Sequence, residues 1–181
     1  MPPKQHPGRP PVAPKPLDRA ALEAIALRYV ERFQTSEVRV VRHLKQKVRQ
    51  RGWAEEDEPD PEGIAHRLSE LGYINDSSFA EARARGAQRK GLGPARLRQH
   101  LAAYGVEKNL AAEVAETIDP VAAALAFARR RRLGPFGSPA DDPRIRQRQM
   151  AAMLRAGHAL DLSRKLLQAE SVEAAEELAT D

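Results

Sequence analysis

Leu68-Ser69-Glu70-Leu71-Gly72-Tyr73-Ile74-Asn75-Asp76-Ser77-Ser78-Phe79-Ala80 closes one helix and opens the next. Ile64, Leu68 and Leu71 stand at i, i+4 and i+7, on one apolar helix face. Gly72 follows, where a residue without Cβ takes up a left-handed C-terminal cap at no steric cost. Tyr73 and Ile74 then supply apolar groups to pin the corner. Asp76 is placed to accept hydrogen bonds from the first free N–H groups of a new helix, and Phe79 and Ala80 begin its buried face. Gly72 is accordingly expected to tolerate valine less well than Gly91, which lies in a longer break. A helix corner alone carries no function; this one matters because variants of it recur along the chain.

The flanking sequence keeps the helical period. Upstream, Leu22, Ile25, Tyr29 and Phe33 form one stripe, and Ser36-Glu37 opens a second helix that runs to Gly52. On its wheel Val41, Leu44 and Val48 lie opposite Arg39, Arg42, Gln46 and Arg49. Asp60-Pro61 ends an acidic loop and starts the next helix. Downstream, a helix from Ser77 to Lys90 is broken at Gly91-Leu92-Gly93-Pro94. Leu97, Leu101 and Tyr104 mark the next helix, closed by Gly105, and Leu110, Val114 and Ile118 mark another. Asp119-Pro120 leads into Arg129-Arg130-Arg131-Arg132, and after the loop 134–139 Asp142-Pro143 starts a helix ending at Gly157. Asp161 opens a short helix with Leu162 and Leu166, and the tail from Ser171 can add an acidic turn or two. No segment alternates with period 2, so strands are not expected. The fold class is all-α, with nine helices, or eight if a short one fails.

Leu44, Val48 and Gly52 have the spacing of Leu97, Leu101 and Gly105, and Gln149, Met153 and Gly157 repeat it more weakly. The three glycines lie 53 and 52 residues apart, followed by Trp53, Val106 and His158. A period near 50 suits a three-helix unit used three times, each too small for a secure core of its own. The expected organisation is a disordered Pro-rich basic arm over 1–17, repeats over 18–59, 60–109 and 110–168, and an acidic tail over 169–181. Tandem stacking of this kind gives an elongated, curved arrangement.

Composition narrows the chemistry. The formal net charge is +5, but eight Lys or Arg face two Glu between Arg28 and Arg51, and six acids and no base lie between Ala54 and Gly63. Such blocks point to a polyanion or an acidic protein surface. Arginine, 23 of the 30 basic residues, suits bidentate contact with phosphate or carboxylate, although a GC-rich genome gives the same bias. With no cysteine, disulfides, thiolate nucleophiles and sulfur-ligated zinc are excluded. The N-terminus lacks the apolar run of a secretory signal, and no stretch is long and apolar enough to span a membrane. A soluble, cytoplasmic protein without membrane contact is expected. The five histidines are scattered, and Gly91-Leu92-Gly93-Pro94 lacks the Gly-Lys-Ser/Thr ending of a phosphate loop. No enzyme activity, metal or cofactor is expected.

Gly72, Tyr73, Ile74, Asp76, Phe79 and Ala80 match Gly-Tyr-hydrophobic-x-Asp-x-x-Phe-Ala, the central signature of the RecX family of RecA regulators, which this sequence resembles. Lys90, Gly91, Leu97, Leu101, Gly105 and Val106 match its continuation. Ala26, Leu27, Tyr29, Val30, Arg32 and, one residue late, Ser36 match an earlier block. The resemblance covers about residues 20 to 168 and departs in the third repeat, where Phe136 to Pro143 looks like an enlarged loop and His158 replaces an aromatic or aliphatic residue. It implies a tandem-repeat protein that binds RecA and the RecA–single-stranded-DNA filament. It further implies negative modulation of recombinase, ATPase and coprotease activity in DNA repair and the SOS response. A monomer is expected, with weak direct DNA contact as a further expectation. The alternative is a direct DNA-binding, helix-turn-helix-like protein, disfavoured by spreading of the charge over three repeats.

The filament- or DNA-binding candidates are Arg39, Arg42, Arg49, Arg83, Arg89, Arg96, Arg98, Arg129 and Arg132. A solvated helix face is the bland account of each, and at most two of Arg129 to Arg132 can face one partner. Gly72, Tyr73, Asp76, Phe79, Ala80 and Gly105 are read as structural. Trp53 suits a core or corner better than base stacking, and aromatics at 4% of the chain are too few for a stacking platform.

Overall fold

A computed structural model describes residues 15–138 and 142–179. Among them are ten α-helices: α1 Arg19–Arg32, α2 Glu37–Arg51, α3 Pro61–Glu70, α4 Asp76–Lys90, α5 Pro94–Ala103, α6 Lys108–Glu116, α7 Pro120–Arg131, α8 Pro143–Arg155, α9 Leu160–Gln168 and α10 Val172–Glu177. A 3-10 turn, Gly134–Phe136, follows α7. The described residues form no strand, only one isolated bridge between Leu17 and Trp53. The all-α expectation holds, with the acidic tail supplying the extra helix.

Three apolar clusters lie in series. Leu22, Ala26, Leu44 and Ile64 join α1, α2 and α3, and Phe79, Leu97, Leu101 and Val114 join α4, α5 and α6. Phe127, Met153, Leu166 and Ala175 join α7 to α10. These packing units do not coincide with divisions at 59/60 and 109/110, because α3 packs on α1 and α2, and α6 on α4 and α5. Equal spacing of glycines gives a period but not its phase. We propose the packing units α1–α3, α4–α6 and α7–α9 as the repeats.

Each unit's middle helix ends at one of the spaced glycines, Gly52, Gly105 or Gly157, with φ of 83°, 78° and 90°. Positive φ is strained for residues with a Cβ. At Gly105 a Cβ would collide with Val38 in the first turn of α2; at Gly157 it would collide with Arg96 in the first turn of α5. The same joint is thus built twice, the end of one middle helix lying bare against the start of the previous one. At the first unit Leu17 stands where a preceding unit would be. Its N–H donates to the Gly52 carbonyl at 3.0 Å, and its side chain is fully buried. Residue 17, expected in the arm over 1–17, therefore belongs to the first core, while residues 1–14 of that arm lie outside the described residues.

Two readings of the central corner change. Ile74 is buried, but Tyr73 is 54% exposed and lines an open hollow with Leu27, Leu68 and Leu71. Asn75, not Asp76, caps α4, accepting from the Ser78 N–H at 2.8 Å. Asp76 is the first residue of the helix and is used elsewhere. The expected loop over 134–139 contains the 3-10 turn, and the expected enlarged loop, Phe136 to Pro143, begins at its last residue; residues 139–141, like 180 and 181 of the tail, lie outside the described residues.

Candidate functional site

The first joint gathers the candidate side chains. Ser36, the N-cap of α2, is fully buried, and its hydroxyl donates to the Tyr104 carbonyl at the end of α5 instead of capping its own helix. Asp76 of the next unit takes over: its carboxylate accepts from the Glu37 N–H at 3.2 Å. Burial raises the Asp76 pKa, offset in part by that hydrogen bond. Caps in trans of this kind fix α2, α4 and α5 relative to one another.

They also fix Tyr104. The Arg39 guanidinium of α2 lies 4.7 Å from the Tyr104 ring centroid, and that of Arg83 on α4 lies 4.6 Å from it. Arg83 is also 4.9 Å from Phe79, whose ring meets Tyr104 edge-on at 5.4 Å. Two cations from different units thus share one aromatic ring, each contact worth about 0.5–1 kcal/mol where exposed. Beside them Arg42, Gln46 and the stacked pair Tyr29–His43, 4.2 Å between centroids, complete a hollow of about 300 Å³. The His43 pKa is lowered by burial and then by Lys47. On α5, the His100 pKa is lowered by burial and then by the charges of Arg96, Lys90 and Arg83. A cationic seam therefore runs from Arg42 and Arg39 past Tyr104 and Arg83 to Lys90 and Arg96.

The seam cations, like several other basic residues on the surface, carry no counter-charge among the described residues. Arg19, Lys45, Arg67, Arg85, Arg129 and Arg164 each pair with a carboxylate. Among the described residues Arg39, Arg42, Arg83, Lys90 and Arg96 do not. An oxyanion placed there would gain several guanidinium contacts.

The other candidates lie apart. Arg49 lines a groove with Lys45, Glu58 and Glu62, beside the acidic loop. Arg89 and Arg98 are exposed on α4 and α5 and do not line the hollow. Arg129 is paired with Glu176 of α10 and sits 5.2 Å from the Phe136 ring. Arg132 closes α7 in the left-handed region, φ 54°. Sequence reasoning missed Tyr104 and the Tyr29–His43 pair as parts of the site. Their signal was weak: Tyr104 precedes a corner glycine and reads as an apolar marker. Among the described residues no group of His, Asp or Glu side chains is arranged to hold a metal, and no helix is long and apolar enough to cross a membrane.

Known proteins share this architecture. The family model for the second three-helix domain of RecX matches residues 75–114, the span of α4 to α6. The regulatory protein RecX of Myxococcus xanthus is 28% identical over 169 residues, covering 88% of this chain and 90% of that protein. Its counterpart in Agrobacterium fabrum is 29% identical over 108 residues, 60% of this chain and 58% of that protein. The crystal structure of RecX from Lactobacillus salivarius superposes with a TM-score of 0.62 at 18% identity, covering 90% of this chain and 97% of that one. A second crystal structure of regulatory protein RecX gives 0.61 at 19%, covering 84% and 74%. Those two likenesses establish the fold; the domain match and the curated relatives support a likeness of the chain to the RecX family of regulatory proteins.

Proposed function

We propose that this chain binds RecA recombinase and the filament RecA forms on single-stranded DNA, and lowers its ATPase, strand-exchange and coprotease activities in DNA repair and the SOS response. The observation that carries the reading is the seam, where unpaired cations from successive units are held on one joint. Units in series can meet successive copies of a repeating polymer, so weak contacts add through effective concentration. Exposed guanidinium contacts are screened over about 10 Å at 0.1 M salt, so binding weakens as salt rises. The protein's own work is to hold anionic groups, and no bond is made or broken.

Binding to naked duplex, naked single strand and RecA-coated single strand, measured in parallel at matched salt, tests this. The coated strand should be preferred. Arg39→Glu with Arg83→Glu should weaken that binding by about tenfold or more, equivalent to about 1.4 kcal/mol, with helicity retained and stability lowered by the lost contacts with Tyr104 and Phe79, about 1–3 kcal/mol. Equal affinity for all three forms would instead support the direct DNA-binding reading.

A further inference from the structure

A second hollow, of about 480 Å³, lies where α7 and α8 meet the start of α5. Leu92, Phe127 and Ala152 line its floor, and Arg96, Arg131, Arg148 and Arg155 stand around it. No carboxylate lines it, and among the described residues none of these four arginines has an ion-pair partner. Ile145 stands at the mouth, 44% exposed. Four cations without ion-pair partners around an apolar floor call for a ligand that is anionic and apolar at once.

The chemistry separates this groove from the Tyr104 seam. Phe127 is only 6% exposed, and the Arg131 guanidinium covers its ring at 5.9 Å. A nucleobase therefore finds no open aromatic face here, whereas sequence-tolerant binding of single strands combines a basic groove with stacking on aromatic faces. Leu92, Ala152 and Ile145 instead match aliphatic side chains. Carboxylates flanking such side chains would reach the guanidiniums, which bind them as two-pronged forks.

We propose that this groove docks a short acidic amphipathic segment of a protein partner, with aliphatic side chains on the floor and Glu or Asp at the rim. Charge complementarity selects the occupant, and helix-in-groove recognition supplies the spacing, with anchors at i, i+3 or i+4 and i+7. The inference goes beyond the proposed function, since only Arg96 is common to groove and seam, and it does not depend on RecA being the partner.

The test uses the full chain and a fluorescent peptide of glutamate, alanine and leucine, about four helical turns long, with leucines on one face. A peptide of the same composition with its leucines spread around the helix, and a thymidine oligonucleotide of similar charge, serve as comparisons. The patterned peptide should bind saturably and more tightly than its scrambled twin. Arg148→Ala with Arg155→Ala, and separately Ile145→Asp, should each weaken it by about tenfold with oligonucleotide binding unchanged. These residues are exposed, and melting curves verify that the variants remain folded. Equal binding of the two peptides, absence of saturable binding, or displacement of the peptide by the oligonucleotide would overturn the proposal.

Discussion

A Cβ at Gly91 would stand 2.6 Å from the Phe127 backbone nitrogen and 3.0 Å from the Ala123 carbonyl oxygen, whereas at Gly72 it would meet nothing within 4 Å. Both residues have positive φ, 62° and 79°. Gly91→Val should therefore be the more damaging substitution, reversing the order expected from sequence. With alanine, Gly72 should lose about 1–2 kcal/mol of stability from conformation alone; Gly91 should lose a further 1–3 kcal/mol or so from overpacking. Thermal melts of the two variants check this, and equal midpoints would contradict it. The positive φ at both glycines was legible because capping is local; the approach of α7 to Gly91 was not, since it joins residues 36 apart. His158 makes a second case. It is 5% exposed, lies 5.5 Å from the Phe127 ring, and neither ring nitrogen has a well-formed hydrogen bond. Burial lowers its pKa, opposed by the nearby Gly91 backbone. Folding thus favours neutral imidazole: this contribution is intact above the unfolded value of about 6.5 and is lost as pH falls through the lower folded value. His158→Leu should flatten stability against pH in the acidic range, leaving the same-signed slope from His43 and His100. An unchanged slope in denaturant titrations would remove His158 as a source.

At the scale of elements, the joint between α2, α4 and α5 explains why Asp76 stands in the central signature. Its own helix is capped by Asn75, so Asp76→Ala should leave α4 intact and uncap α2, costing about 1 kcal/mol. Denaturant unfolding measures this, and unchanged stability would mean that the Glu37 N–H has another acceptor. The helices were legible from period and caps, down to Asp60-Pro61 and Asp119-Pro120, both of which cap as read. The phase of the repeats was not, because nothing local in α3 says whether its apolar face meets α2 or α4. Pairing of charge was equally hidden. Arg129 and Arg83 look alike in sequence, yet one meets Glu176 of α10 and the other has no carboxylate partner among the described residues.

For the whole molecule, three units in series with a repeated joint follow from the glycine period, while the seam arises only when α2, α4 and α5 are brought together. The family signature supplied Asp76 and Phe79 of that joint, and packing supplied Tyr104 and the unpaired cations. The central claim is that this arrangement restrains RecA without chemistry of its own. The most direct measurement is RecA's DNA-dependent ATP hydrolysis with this protein added below the recombinase concentration. Hydrolysis should fall in a salt-sensitive manner, excess single-stranded DNA should not relieve the inhibition, and the Arg39→Glu, Arg83→Glu variant should inhibit poorly. Full recovery of hydrolysis on titrating single-stranded DNA, with no binding to the filament, would contradict the account.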